Sequence, residues 1–227
     1  MKNDYVSIIY NTKRTPTTDY PAKLTKYLFD RFKMNKGKKL LEIGCGRGEY
    51  LMSFQELGLD CEGVDLSDTF INDAGLKGVL IDISKERLPF EDNSFDVVYH
   101  KSLLEHLYSP DNLMKESYRV LKPGGRVIIL TPDWQSVMRV FYEDITHNKP
   151  YDLMAILDLL RIYGFSEVKS ELFYQLPIIW EYPFLRGLSY CLRIFIPTPM
   201  ARKLTQMTGI KFFRWSVELM VLGTGTK

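Results

Sequence analysis

The residues with the clearest chemical signature are three glycines at every second position, Gly44, Gly46 and Gly48, which follow an apolar segment containing Glu42. Glycine adopts positive φ angles and lets a ligand lie against the main chain. The spacing G-x-G-x-G differs from the G-x-G-x-x-G of dinucleotide-binding turns. A carboxylate beside the turn is a poor neighbour for a pyrophosphate and a good one for an ammonium or sulfonium group. The motif therefore predicts a binding turn for a positively charged ligand.

Two further acidic residues follow at predicted strand ends. Asp65 lies 21 residues after Gly44, where an acid can accept hydrogen bonds from both hydroxyls of a ribose, although a helix-capping Asp is the alternative. Asp82 precedes Ile83, and an acid beside a backbone N–H could bind the edge of an adenine, although a turn-forming Asp is the alternative. Together with Glu42, these acids predict a cationic adenosine compound as the ligand.

Three histidines offer acid–base or hydrogen-bonding chemistry near neutral pH. His147 lies in a polar loop over residues 144–151, and we predict that it is the acceptor-side base or hydrogen bonder, with a local structural role as the alternative. His100 could act on the cofactor or on the acceptor, whereas His106 is predicted to pack against the sheet or the cofactor. The sequence predicts no metal centre from His100, Glu105 and His106, because the last two are adjacent and adjacent helical positions do not share a face.

Alternating strands and helices position these residues. We predict a first helix at 21–34, strands at 39–43, 60–65, 78–83, 95–99 and 126–131, helices between them at 49–57, 68–74, 102–107 and 109–121, then a helix at 151–163 and strands at 165–174 and 217–222. This alternation predicts an α/β fold that is Rossmann-like and doubly wound around a mostly parallel sheet. The polar residues 1–20 are predicted to be a poorly ordered arm or a flap.

Residues 175–215 interrupt the alternation with prolines and aromatic residues, and predict a C-terminal helical and aromatic lid insertion. Residues 182–217 hold six basic residues and no acidic one, so the rest of the chain is net −4 although the whole is +2. A packed lid with solvated arginines is one interpretation. The other is an acceptor with an anionic head and an apolar or saccharide body, or peripheral contact of residues 182–214 with an anionic membrane.

The amino-acid composition limits the class of protein and its cellular compartment. Apolar residues make up 45% and charged residues 26%, which is typical of a globular domain. Three cysteines without a pairing pattern favour a reducing compartment, and no signal segment or membrane span is visible, so we expect a cytoplasmic protein. We divide the chain into an N-terminal arm and helix (1–35), a cofactor-binding core (36–174), the lid insertion (175–215) and a final core strand (216–227).

Five segments, 40–50, 62–67, 81–83, 88–98 and 120–125, resemble the successive motifs of class I S-adenosylmethionine-dependent methyltransferases, in the branch that methylates small molecules. The resemblance covers about residues 35–135. It implies a seven-stranded sheet whose last strand is antiparallel, with strands 165–174 and 217–222 as a terminal pair.

The resemblance also implies a cofactor site for S-adenosylmethionine. The methionine and ribose part of the cofactor would lie along the glycine turn, with Glu42 orienting its amino group. The turn residues concerned are Gly44, Cys45, Gly46 and Gly48.

The remaining implied contacts follow the next three strands. Asp65 would hold the ribose and Leu66 would lie against the adenine, while Asp82 and Ile83 would bind the adenine edge. The methionine moiety and the reactive centre would be faced by His100 and Lys101.

The predicted function is methyl transfer from S-adenosylmethionine to a small-molecule acceptor, for which a sugar or a lipid-linked intermediate fits the basic aromatic insertion. Residues 99–102 lack the Asn/Asp-Pro-Pro-aromatic tetrad of enzymes that methylate flipped-out bases, so we expect no DNA partner. The alternatives are a nicotinamide-dependent oxidoreductase and a noncatalytic S-adenosylmethionine-binding protein.

Overall fold

The structure, a computed structural model, describes residues 16–72 and 74–227. Residues 1–15 of the predicted arm lie outside the described residues. The strands are β1 Lys39–Ile43, β2 Asp60–Asp65, β3 Gly78–Leu80, β4 Phe95–Lys101, β5 Leu121–Pro132, β6 Ser166–Phe173 and β7 Met220–Thr226. They form one seven-stranded sheet in the order β3-β2-β1-β4-β5-β7-β6.

The helices in the described residues come between and after these strands. They are α1 Tyr20–Arg31, α2 Glu49–Glu56, α3 Thr69–Asn72, α4 Asp111–Val120, α5 Trp134–Val137, α6 Leu153–Ile162, α7 Pro177–Glu181, α8 Leu185–Phe195, α9 Thr198–Thr208 and α10 Lys211–Val217. Two short 3₁₀ turns lie at Leu104–His106 and Phe141–Glu143. No helix in residues 16–72 and 74–227 is long and apolar enough to cross a membrane.

Strand β1 is the centre of the parallel part of the sheet. It pairs with β2 on one side and β4 on the other, and β2 pairs with β3, all in parallel. Every residue of β1 except Lys39 is buried, which explains why three of the four buried residues are apolar and makes the buried Glu42 unusual. The whole sheet is mostly parallel with two antiparallel strands, which confirms the predicted α/β, Rossmann-like fold class. Because parallel strands end at a common edge, the turns after β1 and β2 carry neighbouring side chains.

The chain divides into two compact units. Among the described residues, unit 1 comprises 16–72, 74–101, 109–127 and 226–227, and unit 2 comprises 102–108 and 128–225. The core of unit 1 includes the fully buried Leu40, Leu41, Ile43, Leu51 and Phe54. The core of unit 2 includes the fully buried Ile128, Ile129, Leu130, Ile156 and Leu160. The sequence-based division at residues 35, 174 and 215 stays a prediction.

Several element boundaries differ from the prediction. Strand β4 continues through Lys101, and the predicted helix at 102–107 is only a 3₁₀ turn. Strand β5 begins five residues early, at Leu121, because Gly124 adopts φ +77° and donates its N–H to the carbonyl of Lys227 at 2.8 Å. The last strand begins at Met220 and not at 217, because helix α10 continues to Val217.

Candidate active site

The glycine turn that follows β1 is the first component of the candidate site, and two of its glycines serve different purposes. Gly46 has φ +55°, and a Cβ atom added there would meet nothing within 4 Å, so the turn has an open face at this residue. Gly48 has φ +77°, but its added Cβ would lie 2.4 Å from Leu76 Cδ1 and 3.1 Å from Phe70 Cβ. Gly46 therefore leaves room for a ligand, whereas Gly48 lets the turn pack closely.

Asp65, at the end of β2, fixes the shape of this turn. Its Oδ2 accepts the backbone N–H of Gly46 at 2.8 Å, and its Oδ1 accepts the N–H of Ser67 at 2.9 Å. The side chain is 4% exposed. Asp65 therefore holds the backbone of the turn in place from the end of the neighbouring strand.

Glu42 is a buried acid beside the turn. It is 2% exposed, and its Oε2 has no hydrogen-bond partner among the residues that the structure describes. Burial, followed by the nearby charge of Asp65, raises the pKa of Glu42 well above its usual range, although Lys101 and the backbone of Leu51 oppose this shift. A buried carboxyl oxygen without a partner costs free energy unless a ligand satisfies it.

Tyr99 of β4 is the register partner of this acid, and further aromatic residues lie near Tyr99. The rings of Tyr50 and Tyr99 lie 6.3 Å apart, and the Nζ atom of Lys101 lies 5.3 Å from the centre of the Tyr50 ring. Burial raises the pKa of Tyr20 well above its usual value, with a smaller contribution from Tyr50. Tyr50 was not among the predicted site residues, although it lies in the first turn of α2, two residues after Gly48.

The predicted adenine-binding residues lie after β3. The Asp82 carboxylate is engaged by Ser84, and this hydrogen bond and the nearby Lys85 lower the pKa of Asp82. This turn explains why β3 ends at Leu80 and not at 83. The carbonyl of Ile83 accepts a hydrogen bond from Asn112 Nδ2 at 2.8 Å, and Asn112 also binds the carbonyl of Glu86 at 2.7 Å.

Asn112 is a supporting residue that the sequence analysis missed. It lies in the first turn of α4, 29 residues from Ile83 in sequence, so no local pattern connects the two. Leu66, predicted to contact the adenine, is 56% exposed although it is a large apolar side chain.

Cys45 and His100 are both buried. Cys45 is 5% exposed, and burial followed by the charges of Glu42 and Asp65 raises the pKa of its thiol. His100 lies inside β4 and is fully buried, and neither ring nitrogen has a hydrogen-bond partner among the described residues. Burial lowers the pKa of His100 to about 3, so its imidazole is neutral at physiological pH.

A second group of chemistry-bearing residues lies within unit 2. His106 and His147 face each other with ring centres 4.8 Å apart, and His147 also lies against Phe141, whose ring centre is 4.4 Å away. Burial lowers the pKa of His106, although Asp144 and the backbone of Thr146 oppose this shift. The structure thus brings together two of the three histidines, and places the third, His100, in unit 1.

The basic residues of the insertion fall into two sets. Arg202 and Arg214 form ion pairs with the buried Glu218, and Arg202 also pairs with Glu143. These two arginines therefore stabilise the packing of unit 2. Arg186, Lys203 and Lys211 are exposed.

The residues of unit 1 fit the cofactor that the sequence resemblance implies. The unpartnered Oε2 of Glu42 can accept from an ammonium group, and the open face of Gly46 gives the ligand access to the main chain. The exposed Leu66 offers an apolar surface to an adenine. The arrangement thus offers an acid for a positive charge, an accessible main chain and an apolar surface for an adenine, as a cationic adenosine compound requires.

Part of the chain is similar to a known family. Residues 41–129 match the family described as "Methyltransferase domain". The chain is 32% identical over 162 residues to phosphoethanolamine N-methyltransferase 3 of Arabidopsis thaliana, a match that covers 65% of this chain and 32% of that protein. This chain therefore spans about a third of the length of that relative.

Solved structures share the fold. A SAM-dependent methyltransferase from Archaeoglobus fulgidus superposes with a TM-score of 0.64 at 21% identity, covering 99% of this chain and 100% of that one. Phosphoethanolamine N-methyltransferase 2 of Haemonchus contortus, in complex with S-adenosyl-L-methionine, gives a TM-score of 0.62 at 20% identity, covering 99% and 60% of the two chains.

Proposed function

We propose, from the premise that residues 41–129 form a methyltransferase domain of the S-adenosylmethionine-dependent class I type, that this protein transfers a methyl group to a small-molecule acceptor. The observation that carries the proposal is the buried Glu42, whose Oε2 has no partner among the described residues and which lies beside a turn with an open face at Gly46. A cationic ligand would supply the missing partner.

The residues of unit 1 hold and orient the cofactor in this proposal. Glu42 accepts a hydrogen bond from the amino group, Asp65 accepts from the ribose hydroxyls, and Leu66 lies against the adenine. Asp82 and Ile83 bind the adenine edge, supported by the hydrogen bonds from Asn112 to the loop. When bound, S-adenosylmethionine supplies the methyl group and the sulfonium leaving group, so the protein mainly provides positioning and electrostatics.

His147 is our proposed hydrogen bonder or general base for the acceptor. Its Nδ1 lies 2.7 Å from the carbonyl of Phe141, and a carbonyl can only accept, so Nδ1 carries the proton. The Nε2 lone pair is then available to take a proton from a hydroxyl or an ammonium group. We assign no such role to His100, because a histidine with a pKa of about 3 is a weak base.

The proposed acceptor carries an anionic head group, and a phosphorylated amine, a sugar phosphate and a lipid-linked sugar belong to this class. Support comes from the excess of basic residues over 182–217 and from the phosphoethanolamine named in the matching Arabidopsis protein. Arg202 and Arg214 already have carboxylate partners, so Arg186, Arg193, Lys203 and Lys211 are the better candidates for acceptor contacts.

A binding and labelling experiment tests the function. We expect S-adenosylhomocysteine to bind the purified protein and NADH not to bind, as measured by calorimetry. We also expect radiolabelled methyl groups from S-adenosylmethionine to enter phosphorylated small molecules of a protein-free extract.

His147→Gln should lower turnover and leave S-adenosylhomocysteine affinity unchanged. Binding of NADH in place of S-adenosylhomocysteine would overturn the proposal, and cofactor binding without any labelled product would favour a noncatalytic binder.

A second proposal concerns helix α8 and the residue before it. Phe184, Leu188 and Phe195 are 76%, 53% and 79% exposed, and with the exposed Cys191 they recur at helical spacing along one side. An apolar stripe next to basic residues suits the surface of an anionic membrane. We propose peripheral contact of residues 182–214 with anionic lipid.

Vesicle sedimentation tests this contact. We expect binding to vesicles that contain phosphatidylserine at low salt, and loss of binding when Arg186, Lys203 and Lys211 are changed to Glu. Arg202→Glu is not suitable for this test, because it would place two carboxylates against each other at Glu218. Absence of binding to anionic vesicles at low salt would exclude the contact.

A further inference from the structure

We propose that Glu105, His106 and His147 bind a divalent transition-metal cation in unit 2. One ligand atom from each residue can be chosen so that all three lie within 4.8 Å of one another. A cation about 2.1 Å from each ligand requires separations of roughly 3–3.5 Å, so the side chains would close by about 1 Å or more. This inference goes beyond methyl transfer and does not depend on it.

The hydrogen bonds of His147 leave the correct nitrogen available for a metal. Its Nδ1 donates to the carbonyl of Phe141 at 2.7 Å, so in the neutral ring the lone pair is on Nε2, which lies 3.9 Å from Asp144 Oδ2. A donor contact from one ring nitrogen to a carbonyl is how metal-binding histidines are usually oriented.

His106 reaches the same tautomer through Thr146. The Thr146 hydroxyl donates its only proton to Asp144 Oδ1 at 2.6 Å, so Thr146 Oγ1 must accept from His106 Nδ1, which lies 2.9 Å away. The Thr146 carbonyl, 3.3 Å from the same Nδ1, also can only accept. His106 therefore also carries its proton on Nδ1 and presents a lone pair on Nε2.

The carboxylate of Glu105 is held in a fixed orientation. It is 1% exposed, and its Oε2 accepts the hydroxyl proton of Thr131 at 2.9 Å. Such a contact to a second residue is the usual support for a carboxylate that ligates a metal. An ionised Glu105 would supply negative charge to a bound cation.

The backbone locks the two ligand-bearing segments together. The carbonyl of Glu105 accepts the N–H groups of Asn148 at 2.8 Å and Lys149 at 3.1 Å, and Asn148 Nδ2 donates to the carbonyl of His106 at 2.7 Å. These contacts bring His147 to the 3₁₀ turn from more than forty positions away in the chain. This long-range pairing explains why the sequence predicted no metal centre.

The ligand types select the class of cation. Two imidazole nitrogens and one carboxylate oxygen suit Zn²⁺, Co²⁺, Ni²⁺ or Fe²⁺ better than Mg²⁺ or Ca²⁺, which prefer oxygen ligands. Three protein ligands leave at least one coordination position for water or another molecule. A cation on Nε2 of His147 takes the lone pair that a general base needs, so the metal-bound protein could not use His147 as a base.

A Co²⁺ titration of untagged protein tests this site directly. The Cys191→Ser variant is the parent, because the exposed Cys191 thiol could bind metal independently. We expect visible d–d absorption that saturates at one Co²⁺ per chain and is displaced by Zn²⁺. His106→Gln and His147→Gln should each weaken binding by at least tenfold, whereas Asp158→Asn, at an exposed acid elsewhere in unit 2, should leave it unchanged.

Alongside each titration, thermal unfolding is monitored by circular dichroism. This measurement shows whether the variants fold. We expect Zn²⁺ to raise the Tm of the parent and not that of the two histidine variants. Folded parent protein that takes up no Co²⁺, or uptake that both histidine variants retain, would overturn the metal site. Cofactor binding in unit 1 is read separately with S-adenosylhomocysteine, so failure of the metal site leaves the proposed function untouched.

Discussion

At the scale of single residues, Glu42 combines two properties that usually exclude each other. Its side chain is 2% exposed, yet Oε2 has no partner among the described residues. Such a group lowers the stability of the free protein and increases the gain on binding a cation, because the ligand removes the desolvation cost. The acid is therefore better explained by ligand binding than by folding.

Replacing Glu42 with Gln should separate these two effects. The raised pKa means that the folded protein binds a proton more tightly than the unfolded chain, so wild-type stability falls as pH rises above about 4.5 toward the folded pKa. We expect E42Q without ligand to have a higher Tm than wild type at pH 8, with a smaller difference at pH 5. Affinity for S-adenosylmethionine should fall about 10- to 100-fold, since a hydrogen bond to a charged group contributes about 1.5–3 kcal/mol. A lower Tm for E42Q at pH 8 would contradict this account.

The two glycines of the turn should respond differently to alanine. Alanine at position 46 would have to adopt an unfavourable φ of +55°, although its Cβ would meet no neighbouring atom. We therefore expect a loss of about 1–2 kcal/mol in stability and at least a tenfold loss in cofactor affinity. Gly48→Ala also drives its Cβ into Leu76, so the loss in stability should be larger by about 1–3 kcal/mol. Urea unfolding and S-adenosylhomocysteine titration measure both quantities. Equal destabilisation by the two changes would argue against the distinction.

At the scale of elements, Asp96 ties together the beginnings of three strands. At the start of β4, it accepts the backbone N–H of Lys39 in β1 at 2.9 Å and binds Lys122 in β5 at 2.8 Å, with Lys38 at 3.0 Å. Partial burial alone would raise the pKa of Asp96, but these hydrogen bonds lower it to about 2.

Asp96→Asn should reveal this contribution through its pH dependence. The depressed pKa stabilises the folded protein above about pH 4, and the contribution disappears as pH falls toward 2. We expect D96N to lose about 2 kcal/mol of unfolding free energy at pH 7 and about half as much at pH 3, as measured by urea midpoints. A pH-independent difference between the two proteins would indicate a packing effect and not a charge effect.

The accuracy of the sequence-based prediction also varies by element. The bounds of β1 and β2 were predicted correctly because β1 leads directly into the glycine turn, and β2 begins after Gly58 and ends at Asp65. Strand β5 was predicted too short because Pro123 and Gly124 signal a turn, while the pairing of Gly124 and Gly125 with Lys227 depends on residues about a hundred positions away. The pairing of His106 with His147 was missed for the same reason. Local patterns predict elements, whereas contacts between distant segments decide their ends.

At the scale of the whole molecule, the two sets of residues that we propose to bind ligands lie in separate units. Glu42, Asp65 and Asp82 lie in unit 1, and Glu105, His106 and His147 lie in unit 2. The charge is also unevenly distributed between the units, because the six basic residues within 182–217 all belong to unit 2.

Amide hydrogen exchange should detect the two sets independently. We expect S-adenosylhomocysteine to slow exchange at residues 44–48, 65–67 and 81–84, because ligand binding suppresses local opening. Zn²⁺ should instead slow exchange at residues 104–107 and 144–149. Protection of the unit 1 segments by Zn²⁺ alone would contradict the assignment of these residues to two sites.

The three cysteines differ in a way that makes the chain convenient to label. Burial raises the pKa of the Cys61 thiol to about 12, and Cys45 is likewise buried, whereas Cys191 is exposed. A maleimide reagent, which reacts with thiolates, should therefore modify Cys191 selectively. Cys191 lies on the same side of α8 as Phe184, Leu188 and Phe195, so an environment-sensitive fluorophore attached there would report on whatever that side of the helix meets. Native sequence alone supplies this reporter position, without any engineered attachment point.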